Sequence, residues 1–171
     1  MECLGNAVLS REVALYYAKS EIGNEICNNC IKGFNLENID NMDENTLKEL
    51  VKTLSNCRKN NIFEVIYSQA QKFYFCKWKS SELELTDINS KVITELSKVK
   101  SKLEDFSEVV RKRELEILKE FEDNGRDIVN KKLIIRKLPN SMGGRVIDGC
   151  HRSVVLYLRG CKIFEGYTFF G

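Results

Sequence analysis

The sequence predicts an α+β protein, with an N-terminal helical region (residues 1–105) that carries a long helix, followed by a small α/β unit (residues 106–171). Three observations predict it. Apolar residues recur at helical spacing in the first half, as in Leu47, Leu50, Val51 and Leu54. A stripe of Val92, Leu96, Val99, Leu103, Phe106 and Val110 alternates four and three residues apart. Beyond Asn124-Gly125 the pattern changes to short β-rich runs divided by glycines.

Taken in order, Ser10 can cap a helix from Arg11 to about Ile22, where Val13, Leu15, Tyr16 and Tyr17 supply an apolar face and Gly23 a stop. Asp43-Glu44 opens a second helix that Asn60-Asn61 ends. Residues 62–78 are rich in aromatics and fit either a buried helix or two strands; helix is the reading adopted. Thr86 or Asp87 caps the long helix, whose stripe would pack as a hairpin within the monomer or carry a homodimer. Glu114 to Asp123 forms a further helix. Strands follow at Leu133–Ile135, Arg145–Ile147 and Ile163–Phe170, with a turn at Asn140–Gly144 and a helix from Ser153 to Arg159.

Composition narrows the function classes. With 171 residues, 43% hydrophobic and 30% charged, the chain can bury a core and is globular in character. A net charge of +2 gives no global attraction to DNA or anionic lipid, although the stretch from Arg126 to Lys162 is locally basic. The N-terminus lacks the pattern of a secretion signal, and charges interrupt every apolar run, so a cytoplasmic protein without a membrane partner is expected. Seven irregularly spaced cysteines favour reduced thiols over a disulfide framework.

The run from Arg145 to Gly160 carries the clearest chemistry. Val146 and Ile147 have strand character, Gly149 allows close backbone approach, and the amides of Cys150 to Ser153 fall in the first turn of a helix, where unpaired N–H groups attract anions. His151 and Arg152 add side-chain donors at that end, which suits a bound phosphate. The bland alternative is a structural β-turn-α with a solvated His-Arg pair. The same end would lower the pKa of the Cys150 thiol, against the commoner outcome of an inert buried cysteine.

Asp148-Gly149-Cys150-His151-Arg152, followed by an amphipathic helix, Gly160 and the strand Lys162–Tyr167, resembles the nucleotide-phosphate motif of the ParB/sulfiredoxin superfamily. Leu115 to Gly125 and Lys132 to Lys137 resemble the helix, glycine stop and strand that precede that motif, so the likeness covers about residues 109–170. It implies a ParB/sulfiredoxin-like unit over residues 106–171 that binds nucleotide phosphate at Gly149, Cys150, His151, Arg152 and Ser153. Gly149 to Arg152 match the Gly-Cys-His-Arg of sulfiredoxins, whose cysteine is catalytic. The sulfiredoxin strand and Arg-Pro segment are not recognisable, the sole proline being Pro139, and a ParB-type DNA-reading helical domain is not expected.

The implied cofactor is a nucleotide triphosphate or diphosphate with Mg²⁺, and the implied activity ATP/ADP-dependent phosphotransfer or sulfiredoxin-like reduction. Cys150 and Asp148 are then the catalytic candidates, with Glu165 a second carboxylate for metal or base. Two other classes stay open: a ParB-like DNA-associated module switched by nucleotide, and a non-catalytic helical interaction protein. Cys27-Asn-Asn-Cys30 has the spacing of a zinc-chelating or redox pair, although no second pair follows, and structural cysteines are the plainer reading. The aromatics of Phe73 to Trp78, flanked by Lys72, Lys77 and Lys79, read as core, with stacking of single-stranded bases the alternative. Glu114, Glu116, Glu120 and Glu122 read as solvated surface.

Overall fold

The computed structural model describes residues 1–22, 25–68, 72–86, 93–98, 132–158 and 160–170. These divide into two compact units: Ala7–Phe73, and Met1–Asn6 together with Tyr74–Gly171. Among the described residues no helix is long and apolar enough to cross a membrane.

The Ala7–Phe73 unit is helical, built from α1 (Ser10–Glu21), α2 (Glu25–Asn28), α3 (Glu44–Arg58) and α4 (Ile62–Tyr67). Asp43 caps α3 by accepting from the Thr46 amide at 2.9 Å and the Thr46 hydroxyl at 2.7 Å. Those bonds favour the charged carboxylate and hold its pKa below the usual value. Lys59, at φ 54°, ends the helix in a left-handed turn. Leu47, Leu50, Val51 and Leu54 are fully buried, as the helical spacing requires, together with Val13, Tyr17 and Ile62. Ser10, expected as a cap, is the first residue of α1; Leu9 takes the cap position and makes no side-chain cap bond.

The other unit is built on a mixed sheet. Its strands are β1 (Glu2–Val8), β2 (Phe73–Lys79), β3 (Leu83–Thr86), β4 (Ile93–Glu95), β5 (Leu133–Lys137), β6 (Gly144–Asp148) and β7 (Ile163–Phe170), in the order β1-β2-β7-β5-β6-β3-β4. β5 and β6 form an antiparallel hairpin, closed by the Leu138 amide donating to the Gly143 carbonyl at 3.0 Å. β7 runs parallel to β5 and β3 parallel to β6, while β4 returns antiparallel to β3. Glu84 and Arg145 stand opposite each other across β3 and β6, and Arg145 donates Nε to the Glu84 carboxylate at 2.9 Å. Between β6 and β7 the chain forms α5 (Cys150–Leu158), which buries Val154, Val155 and Leu156 in one core with Leu133, Ile135 and Val146.

Trp78 is the largest fully buried side chain. Its indole Nε1 donates to the hydroxyl of the equally buried Thr168 on β7 at 2.9 Å, so neither polar group is left unsatisfied. A Cβ at Gly144 would stand 2.6 Å from the indole, and one at Gly166 would stand 2.7 Å from Ile135. Both glycines therefore admit a large neighbour against bare backbone.

The expected helical N-terminal region with a long helix is corrected by this arrangement, because the sheet dominates and draws in both ends of the chain. The longest described helix is α3, with 15 residues. The single helix adopted over residues 62–78 is instead α4 followed by β2. In β2, Cys76 and Trp78 are buried while Lys77 and Lys79 are exposed, a period of two that the preceding aromatics obscured. Of the stripe assigned to a long helix, Ile93–Glu95 is strand and Leu96–Lys98 a 3-10 turn, with Leu96 fully buried. Val92, Val99, Leu103, Phe106 and Val110 lie outside the described residues, as does the helix expected at 114–123. The homodimer expected through the long helix rests on residues that mostly lie outside the described residues. β7 has the bounds assigned to it from sequence, while β5 runs two residues further and β6 is longer by one residue at each end.

Because Trp78 is the sole tryptophan, its fluorescence reports unfolding of the sheet unit directly. Trp78→Ala, which removes that probe and is followed by circular dichroism, is expected to cost about 3–5 kcal/mol in denaturant unfolding, as for other buried aromatics. Gly144→Ala, followed by the same fluorescence, should lower the denaturation midpoint because its Cβ meets the indole. An unchanged midpoint in Gly144→Ala would show that the indole does not pack on this glycine.

Candidate phosphate site

The site begins in the β5–β6 hairpin. The register of β6 against β5 shifts between Ile134 and Ile135, an irregularity that re-aims the end of β6 just before the turn into α5. Gly149 makes that turn at φ +94°, a conformation that strains any residue with a Cβ. Its carbonyl accepts from the Ser153 amide at 2.8 Å, the first bond of α5. The amides of Cys150, His151 and Arg152 thus lie in the opening turn, where intrahelical acceptors are lacking and the helix dipole favours negative charge.

Arg152 folds back over this turn. One guanidinium nitrogen donates to the Lys132 carbonyl at 2.7 Å, and the same nitrogen would stand 2.7 Å from a Cβ on Gly149. Leu133 closes the other side at 2.6 Å from that Cβ position. Glycine is therefore required here by packing as well as by φ. The Nε of Arg152 is buried without a hydrogen-bond partner among the described residues. A buried charged donor of this kind needs an acceptor.

The remaining candidates behave differently. The Ser153 hydroxyl is fully buried and donates to the Cys150 carbonyl at 2.7 Å, so it serves the helix. The His151 side chain lies outside what the structure describes. Asp148 ends β6 opposite Ile134, and its negative charge bears on Cys150. Burial, reinforced by Asp148, pushes the Cys150 thiol up to about 12, outweighing the opposing pull of Arg152 and the backbone. The thiol donates to the Val146 carbonyl at 3.5 Å. Of the two readings of Cys150 open from the sequence, the raised pKa favours the inert buried cysteine over the low-pKa thiolate, because desolvation exceeds the positive field of the helix end. Glu165 is exposed on β7.

Sequence reasoning missed Lys132. Its carbonyl holds Arg152, and its ammonium lies 5.2 Å from the Phe75 ring centroid and 5.7 Å from that of Tyr167. No motif marks a backbone acceptor at a strand entrance, so only the fold reveals it. Among the described residues no group of three or more His, Cys, Asp or Glu side chains is arranged to hold a metal ion.

Comparison with known proteins finds no matching family model, no matching curated protein and no matching solved structure.

The pKa direction at Cys150 has a measurable consequence. At neutral pH it should alkylate more slowly than the exposed Cys30, with a rate that climbs steeply as pH rises toward 12. The fold favours the neutral thiol, so any stability it contributes is present below pH 9.0 and is lost as pH rises toward about 12. Mass-mapped alkylation across a pH series checks both the order and the slope. Faster labelling of Cys150 than Cys30 at neutral pH would restore the reactive thiolate.

Proposed function

We propose that this chain binds a nucleotide through its phosphates at the opening turn of α5, with Gly149, the amides of Cys150, His151 and Arg152, and the Arg152 guanidinium as the phosphate-binding group; the Ser153 amide, engaged by the Gly149 carbonyl, closes the turn. The observation that carries the reading is the buried Nε of Arg152, without a hydrogen-bond partner among the described residues, beside a helix N-terminus entered through a glycine at φ +94°. A phosphate oxygen would give that donor its acceptor, and a charge-assisted bond of this kind is among the stronger ones available to a side chain. The likeness of Asp148 to Arg152 to the ParB/sulfiredoxin motif supports a nucleotide over a bare anion.

Phosphotransfer is the activity favoured within this reading, ahead of sulfiredoxin-like reduction, because a thiol held near pKa 12 is a poor nucleophile at neutral pH. Mg²⁺, implied alongside the nucleotide, would supply positive charge between phosphate oxygens, and Asp148 is the carboxylate of the turn that could share it. Arg152 and the amides would orient the phosphate and balance its charge. The DNA-associated alternative draws no specific support from the described residues. A cytoplasmic location fits a nucleotide ligand, whereas the Cys3–Cys76 disulfide that joins β1 to β2 weighs against it, because reducing compartments keep thiols open.

Calorimetric titration with ATP, ADP, CTP and GTP, with and without Mg²⁺, tests the proposal. At least one should bind, and Arg152→Ala should weaken that binding by about 1.5–3 kcal/mol. Trp78 fluorescence unfolding of the variant separates lost affinity from lost structure, since Arg152 also ties α5 to Lys132. Absence of heat with all four nucleotides, in a protein that melts cooperatively, would end the nucleotide reading.

A further inference from the structure

The helical unit holds a cluster of thiols that the phosphate site does not use. After α2 the chain curls through a turn in which the amides of Cys30 and Ile31 both donate to the Cys27 carbonyl, at 3.0 and 3.2 Å. Cys57, in the last turn of α3, is a hydrogen-bond partner of both Cys27 and Cys30. The Cys30 and Cys57 sulfurs lie 3.0 Å apart with no bond between them. Cys30 is exposed, Cys57 is half-buried and Cys27 is fully buried. Cys57 thus neighbours both Cys27 and Cys30, from segments about thirty residues apart.

We propose that Cys30 and Cys57 form a reversible thiol–disulfide couple, a redox modification site that bridges the turn after α2 to the end of α3. The oxidant class is a low-molecular-weight disulfide, RSSR. The Cys30 thiolate, its proton released to solvent, attacks one sulfur of RSSR; the S–S bond breaks and RS⁻ leaves, giving a mixed disulfide on Cys30. The Cys57 thiolate then attacks the Cys30 sulfur, the bond to R–S breaks, and a second RS⁻ leaves. Two protein thiols are oxidised to one disulfide, RSSR is reduced to two RSH, and the two released protons go to the two thiolates.

The surroundings assign the order of attack. Of the three, Cys30 is the most open to a reagent, and Cys57 is already in place for the second step, so bridging is intramolecular with a high effective concentration. The hydrogen bond to Cys57 raises the Cys30 pKa, which lowers its thiolate fraction at neutral pH and makes the overall rate faster at higher pH. Cys27 stays out of the exchange: burial, followed by its hydrogen bond and charge coupling to Cys57, pushes it up to about 12. The proposal goes beyond the phosphate site and does not rest on it.

The test treats the full chain with glutathione disulfide at mildly alkaline pH, alkylates the remaining thiols, and maps disulfides by mass spectrometry after digestion. A Cys30–Cys57 bridge is expected, with the glutathione adduct on Cys30 below about a tenth of the bridged product because closure is intramolecular. In Cys57→Ser that adduct should become the main product at Cys30, and Cys27→Ser should leave the bridge intact. A stable glutathione adduct on Cys30 in the unaltered protein, or Cys30 and Cys57 both recovered as alkylated thiols after full treatment, would overturn the couple. The unaltered protein decides the matter even if a variant fails to fold.

Discussion

The sheet unit depends on how one indole is accommodated. Trp78 reaches from β2 to donate to Thr168 on β7 and to cover Gly144 at the start of β6, so it contacts strands that are separated in the sheet order. The hydrogen bond satisfies the indole N–H and the Thr168 hydroxyl together, removing a desolvation cost that either would carry alone. Glycine at 144 and 166 keeps the backbone bare where Trp78 and Ile135 press against it. The hairpin of β5 and β6 is thereby fixed against β7, and the end of β6 is where α5 begins.

From that fixed end the local chemistry follows. Gly149 is constrained twice, by φ and by the proximity of Leu133 and Arg152, so the turn has little freedom to relax. Arg152 is held by the Lys132 carbonyl just before β5, and its Nε has no hydrogen-bond partner among the described residues. Pre-positioning of a guanidinium lowers the entropy lost when an anion arrives. The same compactness has the opposite effect on its neighbour, because the desolvation around Cys150 holds that thiol neutral.

Position decides what each cysteine does. Cys3 and Cys76 are bonded across adjacent strands, Cys150 is a weak donor packed under a turn, and Cys30 and Cys57 touch at a helix end. The Cys27-Asn-Asn-Cys30 spacing drew attention to two of these sulfurs, but the near partner of Cys30 is Cys57. Such a pairing could not be read from spacing, since it arises from α2 packing on α3. The disulfide at Cys3 was equally hidden, for β1 is an almost wholly exposed edge strand with no alternating pattern and gains its conformation from the backbone of its neighbour.

By itself the sequence determined the elements whose signals are local: α1 and α3 from apolar spacing, the Asp43 cap, the β5–β6 hairpin from its glycine turn, and the strand–glycine–helix order at Gly149. Each depends on residues within one or two turns of each other, so composition and spacing suffice. The tertiary structure alone decided that β1 and β2 join the sheet, that Leu96 follows a short strand in place of a long helix, and that Arg152 lies against Lys132. Aromatic and β-branched runs satisfy helical and extended periods alike, and the choice falls to whichever conformation finds a hydrogen-bonding partner. For β2 that partner includes β7, some ninety residues away in the chain, as the Trp78–Thr168 bond records.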